Sequence, residues 1–160
     1  MRLYHGPATA VAAPDTSHSH RRLDFGPGFY LTSFENQARR WAARKALRVS
    51  GRGTVSVYDF QAELDGHDVL RFDRPTGEWV DLVCACRRGE PVWEAYDAVF
   101  GPVADDKVYV AVDLYAKGIW DMARTLAALK FYESSDQVCV RSQRLLDEQL
   151  VFLQSYEVNT

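Results

Sequence analysis

Three polar residues stand at the ends of segments that read as strands. His5 closes the weakly alternating run 1–5, directly before Gly6. Tyr30 lies in Gly28-Phe29-Tyr30-Leu31-Thr32, where a glycine-punctuated turn runs into an apolar aromatic strand. Gln137 opens the β-rich run 137–141. Taken singly, each has an ordinary structural reading: His5 as a satisfied histidine, Tyr30 and Trp41 as core aromatics, Gln137 as a surface strand residue. A glutamine accepts a hydrogen bond but carries no charge and cannot act as a base. No familiar short motif competes with the trio. There is no phosphate loop, no H-E-x-x-H, no G-x-S-x-G and no paired C-x-x-C. Asp24-Phe25-Gly26 matches the kinase triplet, but 160 residues are too few for a kinase and no catalytic-loop pattern accompanies it. Gly26-Pro27-Gly28 precedes a strand where a dinucleotide fingerprint opens a helix. His18-Ser19-His20 lacks the further Cys/His cluster a metal needs and reads as a solvated loop; His67, in Asp65-Gly66-His67-Asp68, reads as turn chemistry. No metal is expected.

The joint placement of the three resembles the ADP-ribosyltransferase superfamily, in its branch with a His-Tyr-Glu triad. Leu3-Tyr4-His5-Gly6 resembles the family's first motif, and Gly28-Phe29-Tyr30-Leu31-Thr32 its G-x-Y-F-A motif, as in poly(ADP-ribose) polymerases and diphtheria toxin. Asp136-Gln137-Val138-Cys139-Val140 resembles its N-E-Y-x-V strand, with Gln137 at the glutamate position. The whole chain also resembles a bacterial family known as a domain of unknown function. Its members share the Tyr-His-Gly start, the Asp-Phe-Gly-x-Gly-Phe-Tyr-Leu-Thr motif and a Gly-Pro-Val-Ala-Asp-Asp segment, here Gly101 to Asp106.

The resemblance implies a split antiparallel β-sheet core with flanking helices, and NAD+ as substrate. Breaking the nicotinamide–ribose bond builds positive charge on the ribose, as in glycoside hydrolysis. His5 would then donate to the adenosine-side ribose, Gly6 would offer its backbone to the nicotinamide amide, and Gly28 would belong to the same binding motif. Tyr30 would stack on the nicotinamide, with Trp41, eleven residues on, closing the other face of the ring. Ala38 stands where the polymerase branch has a serine for the nicotinamide amide. Gln137 would accept from the nicotinamide-ribose hydroxyl without supplying negative charge. The implied activity is transfer of one ADP-ribose to a macromolecular acceptor, protein before nucleic acid. An NAD glycohydrolase and an inactive module that recognises NAD, ADP-ribose or a protein partner stay open. On this reading Gln137→Glu folds and keeps or raises nicotinamide release, and His5→Ala weakens NAD+ binding.

Strands and helices are interspersed along the chain. The run 1–5 is a short strand, and 7–27 is a long aperiodic connection of the functional or mobile kind. Thr32-Ser33-Phe34-Glu35 has capping-box form, so a helix starts there with Ala38, Trp41, Ala42, Ala46 and Val49 as its buried stripe. Strands follow at 54–60 and 69–72, then a helix over 76–88 with Trp79, Val80, Val83 and Cys84 inward. A short strand at 98–100 closes on Gly101-Pro102; Asp97, Asp105 and Asp106 around it read as turn and cap residues. Asp105-Asp106 caps a helix to about Ala116, Gly118 ends it, and the next helix turns Ile119, Met122, Ala123, Leu126 and Leu129 inward. A strand at 137–141, a short helix from Gln143 and a strand at 149–158 complete the chain. The last strands flank only one short helix, which favours α+β over a regular βαβ array.

The length, 160 residues with 47% hydrophobic side chains, fits one globular domain over 1–160. Nineteen basic against 22 acidic residues leave a net charge of -3, which gives no global attraction to nucleic acid. The distribution is less even. Arg40, Arg44 and Arg48 form an i,i+4 row near Arg39, Lys45 and Arg52; with Arg21 and Arg22 they read as a solvated face or as attraction for the NAD pyrophosphate or for an acidic or nucleic-acid target. Cys84, Cys86 and Cys139 read as buried reduced thiols, the first two pointing apart on a helix. The start of the chain has no apolar signal core, and no run spans a bilayer, so a cytoplasmic protein without membrane contact is expected.

Overall fold

The computed structural model describes residues 1–19, 23–49, 51–104, 106–131 and 135–158. Its strands are β1 (Arg2–His5), β2 (Phe29–Leu31), β3 (Gly53–Phe60), β4 (Val69–Arg71), β5 (Ala98–Pro102), β6 (Asp136–Val140) and β7 (Leu150–Val158). Its helices are α1 (Glu35–Val49), α2 (Gly77–Arg88), α3 (Asp106–Ala116), α4 (Met122–Leu129) and α5 (Gln143–Gln149). The strands form two sheets, one in the order β1-β3-β7 and the other β2-β6-β5-β4. The fold is α+β, as the element pattern predicts. The other pairings are antiparallel, as the expected split antiparallel core requires, but β4 departs from it and runs parallel to β5 with Val69 opposite Ala98. The reason is the connection: α2 carries the chain back along the sheet before β5, and parallel neighbours need such a crossover.

The two sheets part between β1 and β2. Among the described residues one bridge joins them, where Tyr4 N donates to Thr32 O (2.8 Å) and Thr32 N to Tyr4 O (2.9 Å). An apolar core drawn from both sheets lies between them, with Leu3, Phe29, Leu31, Tyr58, Leu145 and Leu146 all buried. Side chains alternate along a strand, so Tyr30, between Phe29 and Leu31, packs on the opposite face. There it meets a second core built on Phe25 of the turn before β2 and on Trp79, Val80, Val112 and Cys139 from α2, α3 and the second sheet. Ala38 and Ala42 of α1 lie against Val55 and Val57 of the first sheet in a third cluster. The approach is close: a Cβ on Gly6 would stand 2.1 Å from Ala38 O.

Local signals succeed best at α2, where Thr76 Oγ1 accepts from Trp79 N (3.2 Å) and Gly89, at φ 82°, ends the helix. At α1 the capping box does not form. Glu35 turns outward to Arg39 (2.9 Å) and Tyr156 (2.5 Å), and Asp136 of β6 accepts from Ser33 N (2.8 Å) instead. Val49 is 61% exposed because the last turn of α1 stands clear of the first sheet and borders an open cavity. Ile119 is exposed in the turn before α4, and Ala123 faces solvent; Thr125 and Leu129 carry the buried side, with Met122 and Leu126 half-buried. The connection after β1 is pinned at several points. Val11 N donates to Ser56 Oγ (3.0 Å), Tyr58 Oη donates to Val11 O (2.5 Å), and Gln143 bonds Thr16 N and Pro14 O. Arg21, Arg22, His20 and Asp105 lie outside the described residues. No helix among the described residues is long and apolar enough to cross a membrane.

Candidate functional site

His5 ends β1 at the parting of the sheets, with its ring 4.3 Å from that of Phe29. Its Nδ1 lies 2.6 Å from Tyr30 O, so β1 grips β2 through a histidine as well as through the Tyr4 bridge. A carbonyl oxygen can only accept, so Nδ1 carries the proton. Burial, with the charge of Lys45 adding to it, lowers the pKa of His5 to about 4 against a weaker opposing effect of the Tyr30 bond. The ring is therefore neutral near pH 7, and Nε2 presents a lone pair. In this tautomer Nε2 can only accept, whereas the donation that the resemblance implies for His5 needs a proton on Nε2.

Tyr30 is placed by a turn. Its hydroxyl donates to Gly26 O (2.6 Å) and accepts from Phe25 N (3.1 Å), which ties it to Asp24-Phe25-Gly26. Burial, reinforced by Cys139, holds the phenol well above its ordinary pKa, so it stays protonated. Gly26 sits at φ 78°, a conformation suited to glycine. Gly28 is explained by packing, since a Cβ there would meet Cys139 Sγ at 2.5 Å. Gly6 is explained likewise by α1. Trp41 is half-buried on α1 and makes no ring contact with Tyr30, whose ring lies in the Trp79 core.

Gln137 is 4% exposed. Its Nε2 donates to Asp24 Oδ2 (3.0 Å) and to Pro102 O (3.2 Å). Asp24 also takes Arg87 Nε (3.0 Å), Arg87 Nη2 (2.6 Å) and Ala104 N (3.0 Å). A carboxylate at 137 would thus face another carboxylate and a carbonyl. Tyr30 and Gln137 share one face of the second sheet with Cys139 between them, whereas His5 points into the inter-sheet side. The structure brings the three onto neighbouring strands and joins His5 to Tyr30 through the main chain of β2, not through the two side chains.

Sequence reasoning missed Asp136 and Asp24. Asp136 accepts from Thr32 Oγ1 (2.8 Å), Ser33 N (2.8 Å) and Ser33 Oγ, and so anchors the start of α1 to β6. A serine or threonine pair after the tyrosine motif is compatible with such an anchor but names no partner. Asp97 holds the His67 turn through Asp68 N (3.0 Å), and His67 itself is wedged between Asp97 (3.4 Å) and Glu148 (3.1 Å). All three cysteines are buried and unpaired; burial pushes Cys86 and Cys139 up to about 12, so neither is a thiolate near neutral pH. Two cavities, of about 790 and 360 Å3, are lined by other residues: the former by Thr9, Val49, Arg52, Thr54, Tyr156 and their neighbours, beyond the end of β1.

The model of the family described as "Protein of unknown function (DUF3990)" matches residues 1–152, and the chain belongs to that family. No curated protein matches the chain.

Proposed function

We propose that this DUF3990 member is an NAD+-dependent ADP-ribosyltransferase that places one ADP-ribose on a macromolecular acceptor, protein before nucleic acid. The observation that carries the reading is the 2.6 Å hydrogen bond from His5 Nδ1 to the main-chain oxygen of Tyr30, made where two sheets part. It joins the first two of the three motif strands, and β6, with Gln137, lies directly beside β2. In the proposed reaction the nicotinamide–ribose C–N bond breaks and its electron pair leaves with neutral nicotinamide. Positive charge develops at the ribose, and an acceptor nucleophile takes the anomeric carbon and loses its proton to solvent. The protein's share is positional. Neutral His5 accepts from a ribose hydroxyl through Nε2, and Gln137 accepts through Oε1. Fixed dipoles of this kind stabilise developing charge without reorganising.

A second reading, an NAD- or ADP-ribose-binding module without turnover, is favoured by Gln137 itself, whose amide supplies no negative charge and is held by Asp24. NAD glycohydrolysis differs only in using water as the acceptor. Purified protein with labelled NAD+ and a cell lysate separates the three. Labelled macromolecule supports transfer, nicotinamide release without acceptor supports hydrolysis, and calorimetric binding without release supports the module. No binding and no release would reject all three.

A further inference from the structure

A carboxamide has two N–H bonds and one oxygen, and its two orientations differ in which end meets which neighbour. At Gln137 both neighbours of Nε2, Asp24 Oδ2 and Pro102 O, can only accept. Rotating the amide by half a turn would set Oε1 against two acceptors and leave both protons unused. Asp24 is in turn fixed by two bonds from Arg87 and one from Ala104 N, with its side chain 13% exposed. Nothing among the described residues donates to Oε1. We propose that Asp24, anchored by Arg87, is a positioning residue that locks the Gln137 amide with only its carbonyl oxygen free, making Gln137 an acceptor for a ligand hydroxyl and never a donor. That the hydroxyl belongs to the ribose of NAD+ rests on the reading above; the lock itself does not.

The same turn fixes a second residue. Asp24 precedes Phe25 and Gly26, whose backbone groups hold the Tyr30 hydroxyl. One short segment, tied to α2 through Arg87, therefore orients the Gln137 amide at one end and the Tyr30 phenol at the other. It also explains why glutamine suits position 137 here. With Asp24 ionised, a glutamate would place two carboxylates about 3 Å apart, where like charges resist joint ionisation.

The test is a reciprocal exchange. In uniformly 15N-labelled wild-type protein, the Gln137 side-chain amide protons should exchange with solvent markedly more slowly than those of exposed glutamines. In Asp24→Asn, the stronger claim of Arg87 on the Asn oxygen turns the Asn amide towards Gln137, which removes the reason for its orientation. The Gln137 amide signal should shift and lose protection, and the NAD+ dissociation constant should rise about tenfold, the loss of one well-made hydrogen bond. Gln137→Glu should lower Tm by about 6 °C, and adding Asp24→Asn should recover at least half of that fall, because Asn then donates to the new carboxylate. Additive losses in the double variant, or a wild-type Gln137 amide that exchanges freely, would overturn the lock. Should Asp24→Asn fail to fold, the wild-type amide exchange and the Gln137→Glu melting shift still decide. Absence of NAD+ binding by the wild type would reject the functional reading while leaving these two readouts intact.

Discussion

His5 offers the sharpest test of the site's electrostatics. In the native protein its pKa is lowered to about 4 by burial, then by Lys45, from an ordinary value of 6.5. The unfolded chain thus binds a proton near pH 6.5 that the native state refuses until near pH 4. The sign follows: stability is fully present above the unfolded value and is lost as pH falls from 6.5 towards 4. Between pH 7 and pH 5 the loss from this single group is about 2 kcal/mol, since each tenfold difference in proton affinity between the two states is worth about 1.4 kcal/mol. His5→Asn is the matched control, since its side-chain N–H can still reach Tyr30 O while the group no longer titrates. Urea unfolding of both proteins at pH 7, 6 and 5 cancels every other titration to first order. The wild type should lose about 2 kcal/mol more than His5→Asn over that range. Parallel stability profiles would refute the buried neutral imidazole, and with it the assignment of Nε2 as an acceptor. An NMR titration of the His5 ring with a midpoint near 6.5 would refute it independently.

Three further outcomes are expected. Asp136→Ala removes an acceptor of three bonds at the start of α1 and should cost about 2 kcal/mol, read as a fall in Tm of about 5 °C; an unchanged Tm would mean that the anchor contributes nothing. Gly6→Ala drives a Cβ to 2.1 Å from Ala38 O and should destabilise by about 3 kcal/mol, because backbone on both sides must shift; a neutral effect would show that β1 and α1 are further apart. Tyr58→Phe removes the 2.5 Å bond to Val11 O, which holds the connection after β1 over the inter-sheet core. At about 1 kcal/mol, local opening of that connection should rise about fivefold, measured as faster limited proteolysis within 7–18. Equal cleavage rates would show that Val11 is held by other contacts.

What was legible in the sequence divides by the range of the interaction. At α2 both ends were readable, because Thr76 and Gly89 act on donors and acceptors within their own turn. The same local rule misled at Thr32-Ser33-Phe34-Glu35, where Tyr156 and Arg39 claim Glu35 and Asp136 replaces it as the acceptor. Asp136 is 103 residues from Ser33 in the chain, and no helical periodicity records it. Ile119 misled for a related reason: it continues the 3.6-residue period of α4 backwards past Asp121, the residue that caps the helix and ends the pattern's authority. The parallel pairing of β4 had a visible cause in the intervening α2, but the short strand Val69–Arg71 gives no pairing preference of its own.

The candidate site carries the same lesson further. The types and strand positions of His5, Tyr30 and Gln137 were readable, yet each residue's chemistry is set by a partner the sequence does not mark. The carbonyl of Tyr30 makes His5 an acceptor, the turn carbonyl of Gly26 makes Tyr30 a donor, and Asp24 makes Gln137 an acceptor across 113 residues of chain. Gln137 illustrates the consequence. Considered alone, it is a glutamate with its charge removed, and restoring the charge looks harmless or helpful. Placed beside Asp24 and Pro102 O, it is the only one of the two side chains that satisfies both acceptors, and the restored carboxylate becomes the disruptive group. Turnover of Gln137→Glu is therefore read against the double variant with Asp24→Asn, in which the second carboxylate is gone and the charge at 137 can be judged by itself.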